Sequence, residues 1–303
     1  MKSWLKHQLY KEYGIMAEEI QMMNRLWSIR SPQGKWVIKP YKNSRPLIQW
    51  LSFLTSEIRG NGFKQIPNIL INQHGLLWFG TDQSAYIVMP HIDGKKANYA
   101  VKMDVEKAVK SLAVFHHHAG WIDDKQIPPF YPSLKKKLLH RMEQFERVYQ
   151  AIIMKEKKTD LEKMIGSLGK DMIKFAKEAL ELISFSMLDQ MQQEALENRL
   201  VAHRDLASHN FLINNQTWII DLDLASYEAQ FLDLWQLLNR VMLEWEWDLA
   251  SFIRIEDVYH GIRKLQGREK KIIRQLSLFP NDFFRESICL LYTSDAADEE
   301  DSV

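Results

Sequence analysis

The sequence predicts an α+β fold of two lobes, a small N-terminal lobe with an antiparallel sheet plus one helix and a larger, mainly helical C-terminal lobe. Three observations predict it. Short apolar runs separated by turn residues fill residues 20–90, with one helical stretch among them. From about residue 96 the apolar spacing becomes helical. A polar loop, a short hairpin and an aspartate then interrupt the helices at residues 203–221.

The N-terminal lobe begins with an amphipathic helix over residues 1–15. A hairpin follows, because Leu26–Arg30 and Trp36–Lys39 flank a Ser-Pro-Gln-Gly turn. These two strands, three more and one inserted helix precede a linker, which is the element order of a kinase N-lobe. The inserted helix is predicted at 45–59, the further strands at 69–71, 75–79 and 86–89, and the linker at 90–94.

The C-terminal lobe is predicted to contain a helix at 105–119, two or three amphipathic helices within 133–199, and further helices from 231 to 289. Three consecutive histidines, 116–118, lie in the first of these helices. Successive residues of a helix do not share a face, so the three side chains are not expected to chelate one metal ion.

Domains are placed at 1–90 for the N-lobe, 91–288 for the C-lobe and 289–303 for the tail. The tail breaks the amphipathic pattern and is similar to translated sequencing-adapter ends. We expect residues 289–303 to be foreign or disordered, and a native acidic tail is the alternative.

Length and composition limit the class of protein. A chain of 303 residues, 46% hydrophobic and 26% charged, is typical of a globular protein with room for two lobes. The formal net charge of +1 gives no case for a nucleic-acid partner. No signal peptide and no apolar run long enough for a membrane span are recognised. One cysteine excludes an intrachain disulfide framework.

Residues 203–210 read His-Arg-Asp-Leu-Ala-Ser-His-Asn, and a predicted hairpin then leads to Asp221. The pattern H-R-D-L-x-x-x-N is that of a kinase catalytic loop. Phosphoryl transfer needs a carboxylate at the attacking hydroxyl and oxygen ligands for magnesium. Candidate catalytic residues are Asp205 as the base, Asn210, and His203 as a hydrogen-bonded brace of the loop. Asn210 and Asp221 are the candidate magnesium ligands.

An ordinary charged surface loop is the alternative interpretation of this stretch. It is disfavoured because the motif lies between a long helical region and a hairpin of the right size that ends in an aspartate. Asp233, at the start of the next apolar helix, is expected either to cap that helix or to accept backbone N–H groups of the loop.

Lys39 is the candidate ligand of the ATP phosphates, because it ends a Val-Ile-Lys sequence on a predicted strand. A lysine that merely ends a surface strand is the alternative. Glu57, on the inserted helix, is either the ion-pair partner of Lys39 or a solvated glutamate. Backbone groups from Val88 and Met89 to His91 are expected to hydrogen-bond an adenine.

Three segments carry a resemblance to a known family: Gly62–Pro67, Leu112–His116, and His203–Asn210 with Ile220-Asp221. The chain resembles the aminoglycoside phosphotransferase/choline kinase-like branch of the protein-kinase-like superfamily. Within that branch it is similar to the spore-coat-associated CotS and YutH proteins of Bacillus-type spore formers. The resemblance implies ATP and Mg²⁺ as cofactors, and a small-molecule acceptor and spore coat proteins as partners. It also implies location in the cytoplasm of the sporulating cell and then in the spore coat.

The chain departs from that branch in three places. Arg204 stands where glycine is more common, and Asp221-Leu222-Asp223 lacks the glycine of a DFG-type triplet. Asn24–Ser28 stands where a glycine-rich loop is expected, and Arg25 and Trp27 are expected to crowd the ATP site. Two functions therefore remain open: an ATP-dependent phosphotransferase, and a non-catalytic coat component that keeps the kinase fold.

Overall fold

The structure, a computed structural model, describes residues 1–23, 25–41, 45–81, 84–122 and 133–289. It forms two compact units, Met1–Pro129 with Glu194–Lys264, and Phe130–Gln193 with Leu265–Val303. The first unit is α+β and the described part of the second is helical. The predicted lobe boundary at residue 90 falls inside the first unit and stays a prediction. No helix in these described ranges is long and apolar enough to cross a membrane.

An antiparallel sheet forms the N-terminal part of the first unit, and its strands lie in the order β1 (Glu19–Met23), β2 (Leu26–Ser31), β3 (Gly34–Tyr41), β5 (Ser84–Pro90) and β4 (Phe79–Thr81). Leu5 and Leu9 of the first helix are fully buried against this sheet, in one cluster with Ile29 and Ile38. The helix ends at Gly14, whose φ of 68° favours glycine. In order, the elements are α1 (Lys2–Tyr13), β1 (Glu19–Met23), β2 (Leu26–Ser31), β3 (Gly34–Tyr41), α2 (Arg45–Gly60), β4 (Phe79–Thr81) and β5 (Ser84–Pro90).

The predicted hairpin and inserted helix are confirmed, but the predictions of strands at 69–71 and 75–78 are wrong. The side chain of Asn72 closes a turn there, since its Oδ1 accepts the N–H groups of His74 and Leu76. Leu70 donates only one backbone bond to the sheet, to the Val88 carbonyl at 2.8 Å. The fifth strand is instead β1, which has one buried residue and is held by its register with β2.

Helices dominate the rest of the chain, and the prediction of two or three helices within 133–199 is confirmed with three. The elements are β6 (Lys95–Lys96), α3 (Lys102–His118), α4 (Leu134–Met154), α5 (Asp160–Leu182), α6 (Phe185–Glu197), β7 (Val201–Ala202), β8 (Phe211–Ile213), β9 (Thr217–Ile219), β10 (Ser226–Tyr227), α7 (Phe231–Glu244), α8 (Leu249–Ile262), α9 (Gly267–Ser277) and α10 (281–289).

The second unit packs α5 against α4 and α9. A capping box of Thr159 and Glu162 starts α5, which satisfies backbone donors that the first turn leaves free. Phe145 of α4 stacks on Phe284 of α10 with ring centroids 4.5 Å apart. Residues 290–303, most of the predicted tail, lie outside the described residues.

Candidate active site

The loop of residues 203–210 and the β8–β9 hairpin bring two predicted metal ligands together. The hairpin pairs Phe211 with Ile219 and Ile213 with Thr217, which confirms the predicted hairpin. Immediately after it, the N–H of Ile220 donates to the Asn210 carbonyl at 2.9 Å. The chain therefore enters Asp221 directly beside Asn210.

Asn210 is bonded to the candidate base. Its Nδ2 donates to the Asp205 carbonyl and to Asp205 Oδ2, each at 3.0 Å. With the amide nitrogen used twice, the Asn210 Oδ1 accepts no hydrogen bond within the described part of the chain and is the atom left for a metal. The Asp205 side chain is 32% exposed, so a substrate hydroxyl can reach it.

His203 is fully buried and has both ring nitrogens engaged. Nδ1 accepts the N–H of Asp205 at 3.2 Å, and Nε2 lies 2.9 Å from the Ile220 carbonyl. A backbone N–H can only donate and a carbonyl can only accept, so we assign the proton to Nε2. This geometry fits a brace of the loop and leaves no ring nitrogen free for chemistry.

Asp233 accepts the backbone N–H groups of His203 at 2.6 Å and of Arg204 at 2.8 Å. It therefore braces the loop, the second of the two alternatives left open by the sequence. His116 Nε2 lies 3.0 Å from the same carboxylate, and His116 Nδ1 lies 2.6 Å from the Tyr259 hydroxyl. All of these groups except Arg204 are almost fully buried.

Burial and hydrogen bonding together determine the charge states of Asp233 and His116. Burial alone would raise the pKa of the Asp233 carboxyl, but hydrogen bonds from His116 and from the loop hold that pKa below its ordinary value. Burial lowers the pKa of His116, and the neighbouring Asp233 offsets only part of the effect. The pair is therefore an ionised carboxylate and a neutral imidazole that donates from Nε2 and accepts from Tyr259.

Gln236 and Arg240 also join α7 to the loop of residues 203–210, and they were not identified from the sequence. Asp233, Gln236 and Arg240 are spaced i, i+3 and i+7, so they share one face of α7. Gln236 Oε1 accepts the N–H of Leu206 at 2.7 Å, and Arg240 Nη2 lies 3.3 Å from Asp205 Oδ1. Polar residues at this spacing on an otherwise apolar helix were the signal in the sequence.

The backbone conformation at Arg204 explains why glycine is more common at this position in the branch that the chain resembles. Its φ is 71°, in the left-handed region that side chains with a Cβ rarely adopt. The Asp233 carboxylate fixes its N–H, and its Nε lies 3.4 Å from Glu228 Oε2. Arginine is therefore held in a conformation that glycine adopts freely.

Lys39 lies between two carboxylates. Its Nζ is 2.5 Å from Asp221 Oδ1 and 2.6 Å from Asp223 Oδ2. The Tyr41 hydroxyl donates to Asp223 Oδ1, and burial first and Asp223 second raise the pKa of Tyr41. No ion pair joins Lys39 to Glu57 among the residues that the structure describes. A role for Glu57 at the nucleotide stays a prediction.

Asp221 is an ionised carboxylate on a constrained backbone. Its φ of 64° and ψ of 60° are rare for a residue other than glycine, and such conformations concentrate at functional sites. Burial raises the pKa of this carboxyl, but the charge and hydrogen bond of Lys39 outweigh burial and lower it.

The oxygen atoms of Asn210 and Asp221 suit magnesium, which needs few protein ligands, better than they suit a metal held by protein ligands alone. No group of three or more His, Cys, Asp or Glu side chains suited to a metal occurs in the described ranges. Magnesium is commonly bound by one or two protein ligands together with phosphate oxygens and water. Asn210 and Asp221 would supply two such ligands, and their role stays a prediction.

The connection between β1 and β2 is shorter than the expected phosphate loop. Met23 pairs with Leu26, so only residues 24 and 25 connect β1 to β2. Asn24 lies outside the described residues, and Arg25 is exposed. A two-residue connection is too short for a loop whose N–H groups surround a phosphate.

The expectation that Trp27 crowds the ATP site is wrong. Trp27 pairs directly with Ile38, and directly opposed residues of paired strands share a face. Ile38 precedes Lys39, and successive strand residues point to opposite faces. Trp27 therefore packs on the α1 side, against the buried cluster of the sheet. On the Lys39 face its place is taken by Ser28.

The predicted adenine contacts are only partly available. The Val88 carbonyl already accepts the N–H of Leu70, and the His91 N–H donates to a β3 carbonyl at 3.0 Å. Met89 is paired within the sheet. The N–H of Ile92 is left without a partner in the described structure. Adenine binding by Val88 and Met89 stays a prediction, and Ile92 offers a further donor at this edge.

Comparisons with known proteins agree with this geometry. Residues 6–302 match the family model described as "Spore coat putative kinase YutH". That range includes residues 289–302, and a foreign or disordered tail stays a prediction. Spore coat protein S of Bacillus subtilis (strain 168) is 20% identical over 264 residues, 86% of this chain and 75% of that protein.

Solved structures share the fold at low sequence identity. An aminoglycoside phosphotransferase from Alicyclobacillus acidocaldarius has a TM-score of 0.80, 16% identity, and coverage of 91% of this chain and 83% of its own. An AMP-bound spectinomycin phosphotransferase has a TM-score of 0.70, 15% identity, and coverage of 98% and 92%. Choline kinase from Streptococcus pneumoniae has a TM-score of 0.51, 13% identity, and coverage of 96% and 89%. The predicted α+β, bilobal, protein-kinase-like fold is confirmed.

Proposed function

Because this chain belongs to the YutH family of spore coat kinase-like proteins, we propose that it is a spore-coat-associated phosphotransferase. It transfers the γ-phosphate of ATP to the hydroxyl of a small molecule. One observation carries the proposal: within one compact unit Asn210 bonds Asp205, the residue before Asp221 bonds the Asn210 carbonyl, and Asp221 pairs with Lys39.

Each residue has a separate role in this reaction. Asp205 orients the acceptor hydroxyl and takes its proton as the oxygen forms a bond to the γ-phosphorus. The bond from that phosphorus to the β,γ-bridging oxygen breaks, and ADP leaves. Lys39 donates to the phosphate oxygens, while Asn210 and Asp221 would hold magnesium. When bound, magnesium supplies positive charge at the phosphates.

Two observations support nucleotide binding. Solved structures of this fold contain AMP in the spectinomycin phosphotransferase, and AMP-PNP with Ca²⁺ in an amicoumacin kinase with a TM-score of 0.59. In this chain the Lys39 face of the sheet carries Ser28 and Val37 directly opposite each other, and both are small enough to leave room for a base.

A small acceptor fits the chain better than a protein. Only the short connection containing β10 separates Asp221 from the start of α7. A protein kinase needs an activation segment ending in Ala-Pro-Glu in this position. That the acceptor carries a hydroxyl is inferred only from the chemistry of phosphoryl transfer.

The second candidate is a non-catalytic component of the spore coat. It is favoured by the two-residue β1–β2 connection and by the engagement of Lys39 with two carboxylates. Location in the coat is common to both candidates, because location and chemistry are separate properties of one fold.

Thermal shift with ATP tests the proposal. We expect magnesium with millimolar ATP to raise the melting temperature of the wild-type protein, because a ligand that binds only the native state stabilises it by mass action. Asp221→Asn should lose the magnesium-dependent part of the shift. Asp257→Asn, which changes an exposed aspartate of α8, is the matched control.

Turnover then separates the two candidates. Asp205→Asn should keep the ATP shift and lower phosphate transfer by roughly 10²- to 10⁴-fold, the usual contribution of a general base. No shift with ATP in folded wild-type protein would favour the non-catalytic coat component.

A further inference from the structure

Lys39 is anchored by an aspartate that follows the predicted metal ligand, not by the helix that lies beside the sheet. Asp223 Oδ2 lies 2.6 Å from Lys39 Nζ, and the lysine side chain is only 16% exposed. Glu57, on α2, makes no ion pair with this amine in the described structure. The anchor therefore comes from the turn after Asp221.

The turn that carries Asp223 is itself fixed to α2. The N–H of Ala225 donates to the Leu222 carbonyl at 2.8 Å, which closes a single 3₁₀ turn over Leu222–Leu224. Trp50 of α2 is buried and donates its Nε1 hydrogen to the Ala225 carbonyl at 3.3 Å. Helix α2 thus fixes the position of Asp223 through Trp50, although its glutamate does not contact the lysine.

Both oxygens of Asp223 are used inside the protein. Oδ2 holds Lys39, and Oδ1 accepts the hydroxyl of Tyr41, which lies two residues after Lys39 on the same face of β3. A carboxylate with a protein donor on each oxygen is suited to positioning a side chain, and a metal would have to share those oxygens with the donors. Asp221, in contrast, meets Lys39 through Oδ1.

We propose that Asp223 is the positioning residue that holds Lys39 at the nucleotide phosphates, in place of Glu57. The inference rests on the proposed function, because it assigns Lys39 to those phosphates. When Asp221 turns to a metal, Lys39 keeps Asp223 as its carboxylate partner. Tyr41 holds that carboxylate in the orientation that the amine requires.

The first test needs no nucleotide. The wild-type protein is treated with a limiting amount of an acylating reagent, and the labelling rate of Lys39 is followed by mass spectrometry of its peptide. We expect Asp223→Asn to raise the rate by about threefold to tenfold, because the amine loses one of its two partners. The exposed Asp257→Asn is the matched control.

Tyr41→Phe provides a second variant if Asp223→Asn folds poorly. It keeps the carboxylate and removes only the hydroxyl that orients it, so a smaller increase in Lys39 labelling is expected. An unchanged rate in both variants would overturn the proposal. A larger increase in Glu57→Gln than in Asp223→Asn would return the anchor to α2 and would also overturn it.

The second test separates an anchor from a metal ligand. Calorimetry should show affinity for magnesium-ATP about tenfold weaker in Asp223→Asn, with the magnesium concentration for half-maximal binding within about twofold of wild type. A large rise in that magnesium concentration would make Asp223 a metal ligand and overturn the proposal. If wild-type protein binds no ATP, the proposed function fails. The labelling rates then still decide whether Asp223 holds Lys39.

Discussion

The two sides of the candidate site are built differently. On the base side, one face of α7 fixes the loop through Asp233, Gln236 and Arg240, all from within a buried or half-buried surface. On the nucleotide side, β1 and β2 are joined by two residues and β1 is almost wholly exposed. The first side is held by several independent hydrogen bonds. The second relies on Lys39 and its two aspartates.

Under the proposed function, this difference means that the base is held more firmly than the nucleotide. A base must be held within a fraction of an ångström of its substrate, and redundant bonds to the loop backbone achieve that. Phosphates can be held by a lysine and a metal without a glycine-rich loop, with fewer N–H donors and therefore with lower affinity. We therefore expect a rigid catalytic loop beside a weak nucleotide site.

Asp233→Asn should produce the largest loss of stability, because it weakens the bonds that hold the loop on the base side. The change leaves buried N–H groups of His203 and Arg204 with a weaker acceptor and removes the charge that His116 bonds. We expect a loss of roughly 3 to 5 kcal/mol in the free energy of unfolding, as for other broken buried charged networks. Urea unfolding and hydrogen exchange of the 203–206 amides measure it. A loss under about 1 kcal/mol would contradict the brace.

The pH dependence of stability should come from the same buried group. The pKa of His116 lies below its ordinary value of about 6.5, so the unfolded chain takes up this proton first as the pH falls. Stability is then lost progressively below about pH 6.5, at up to roughly 1.4 kcal/mol per pH unit. Asp233 adds a further loss below about pH 4, because its native pKa is also lowered.

Urea midpoints between pH 8 and 5 test this dependence. His116→Gln should flatten the profile relative to wild type, whereas substitution of an exposed histidine such as His209 should leave it steep. An equal slope in wild type and His116→Gln would show that His116 does not remain neutral in the native protein.

The sequence predicted the parts of the site that a local motif encodes. His203, Asp205 and Asn210 lie within one loop, and the hairpin length fixes where Asp221 returns. Gln236 and Arg240 were missed because their spacing marks a polar face of α7 but does not say that this face meets the loop, which is a tertiary contact. The sequence left Glu57 open as the partner of Lys39 or a solvated glutamate and did not point to Asp223, because helical spacing does not reveal that Trp50 contacts the turn that carries Asp223.

Within the sheet, alternation predicted strands well only where one face is buried. The strand at residues 69–71 was predicted from three apolar residues, but Ile71 is 66% exposed and Asn72 turns the chain away. Strand β1 is a strand that the apolar pattern does not indicate, because four of its five residues are exposed, and buried and exposed residues do not alternate along it. The error over Trp27 arose because strand position alone does not say which face meets α1.

Ser28→Trp would sharpen the comparison on the nucleotide side. Ser28 lies opposite Val37 on the Lys39 face, so an indole there should occupy the space of the base and weaken magnesium-ATP binding by about tenfold or more. Trp27→Ala, on the α1 face, should cost about 2 to 4 kcal/mol of stability and leave that affinity within about twofold. Calorimetry on both variants measures the contrast, and equal losses of affinity would contradict the assignment of faces.

Arg25→Gly should have the smallest effect. Arg25 is exposed at the β1–β2 connection, so we expect a change of at most about 0.5 kcal/mol in the free energy of unfolding. Affinity for magnesium-ATP should stay within about twofold, because the two-residue length of the connection, not this side chain, keeps backbone N–H groups from a phosphate. A gain of about fivefold or more in calorimetry would mean that the arginine obstructs the phosphates, and that the nucleotide side is closer to a working phosphate loop than its length implies.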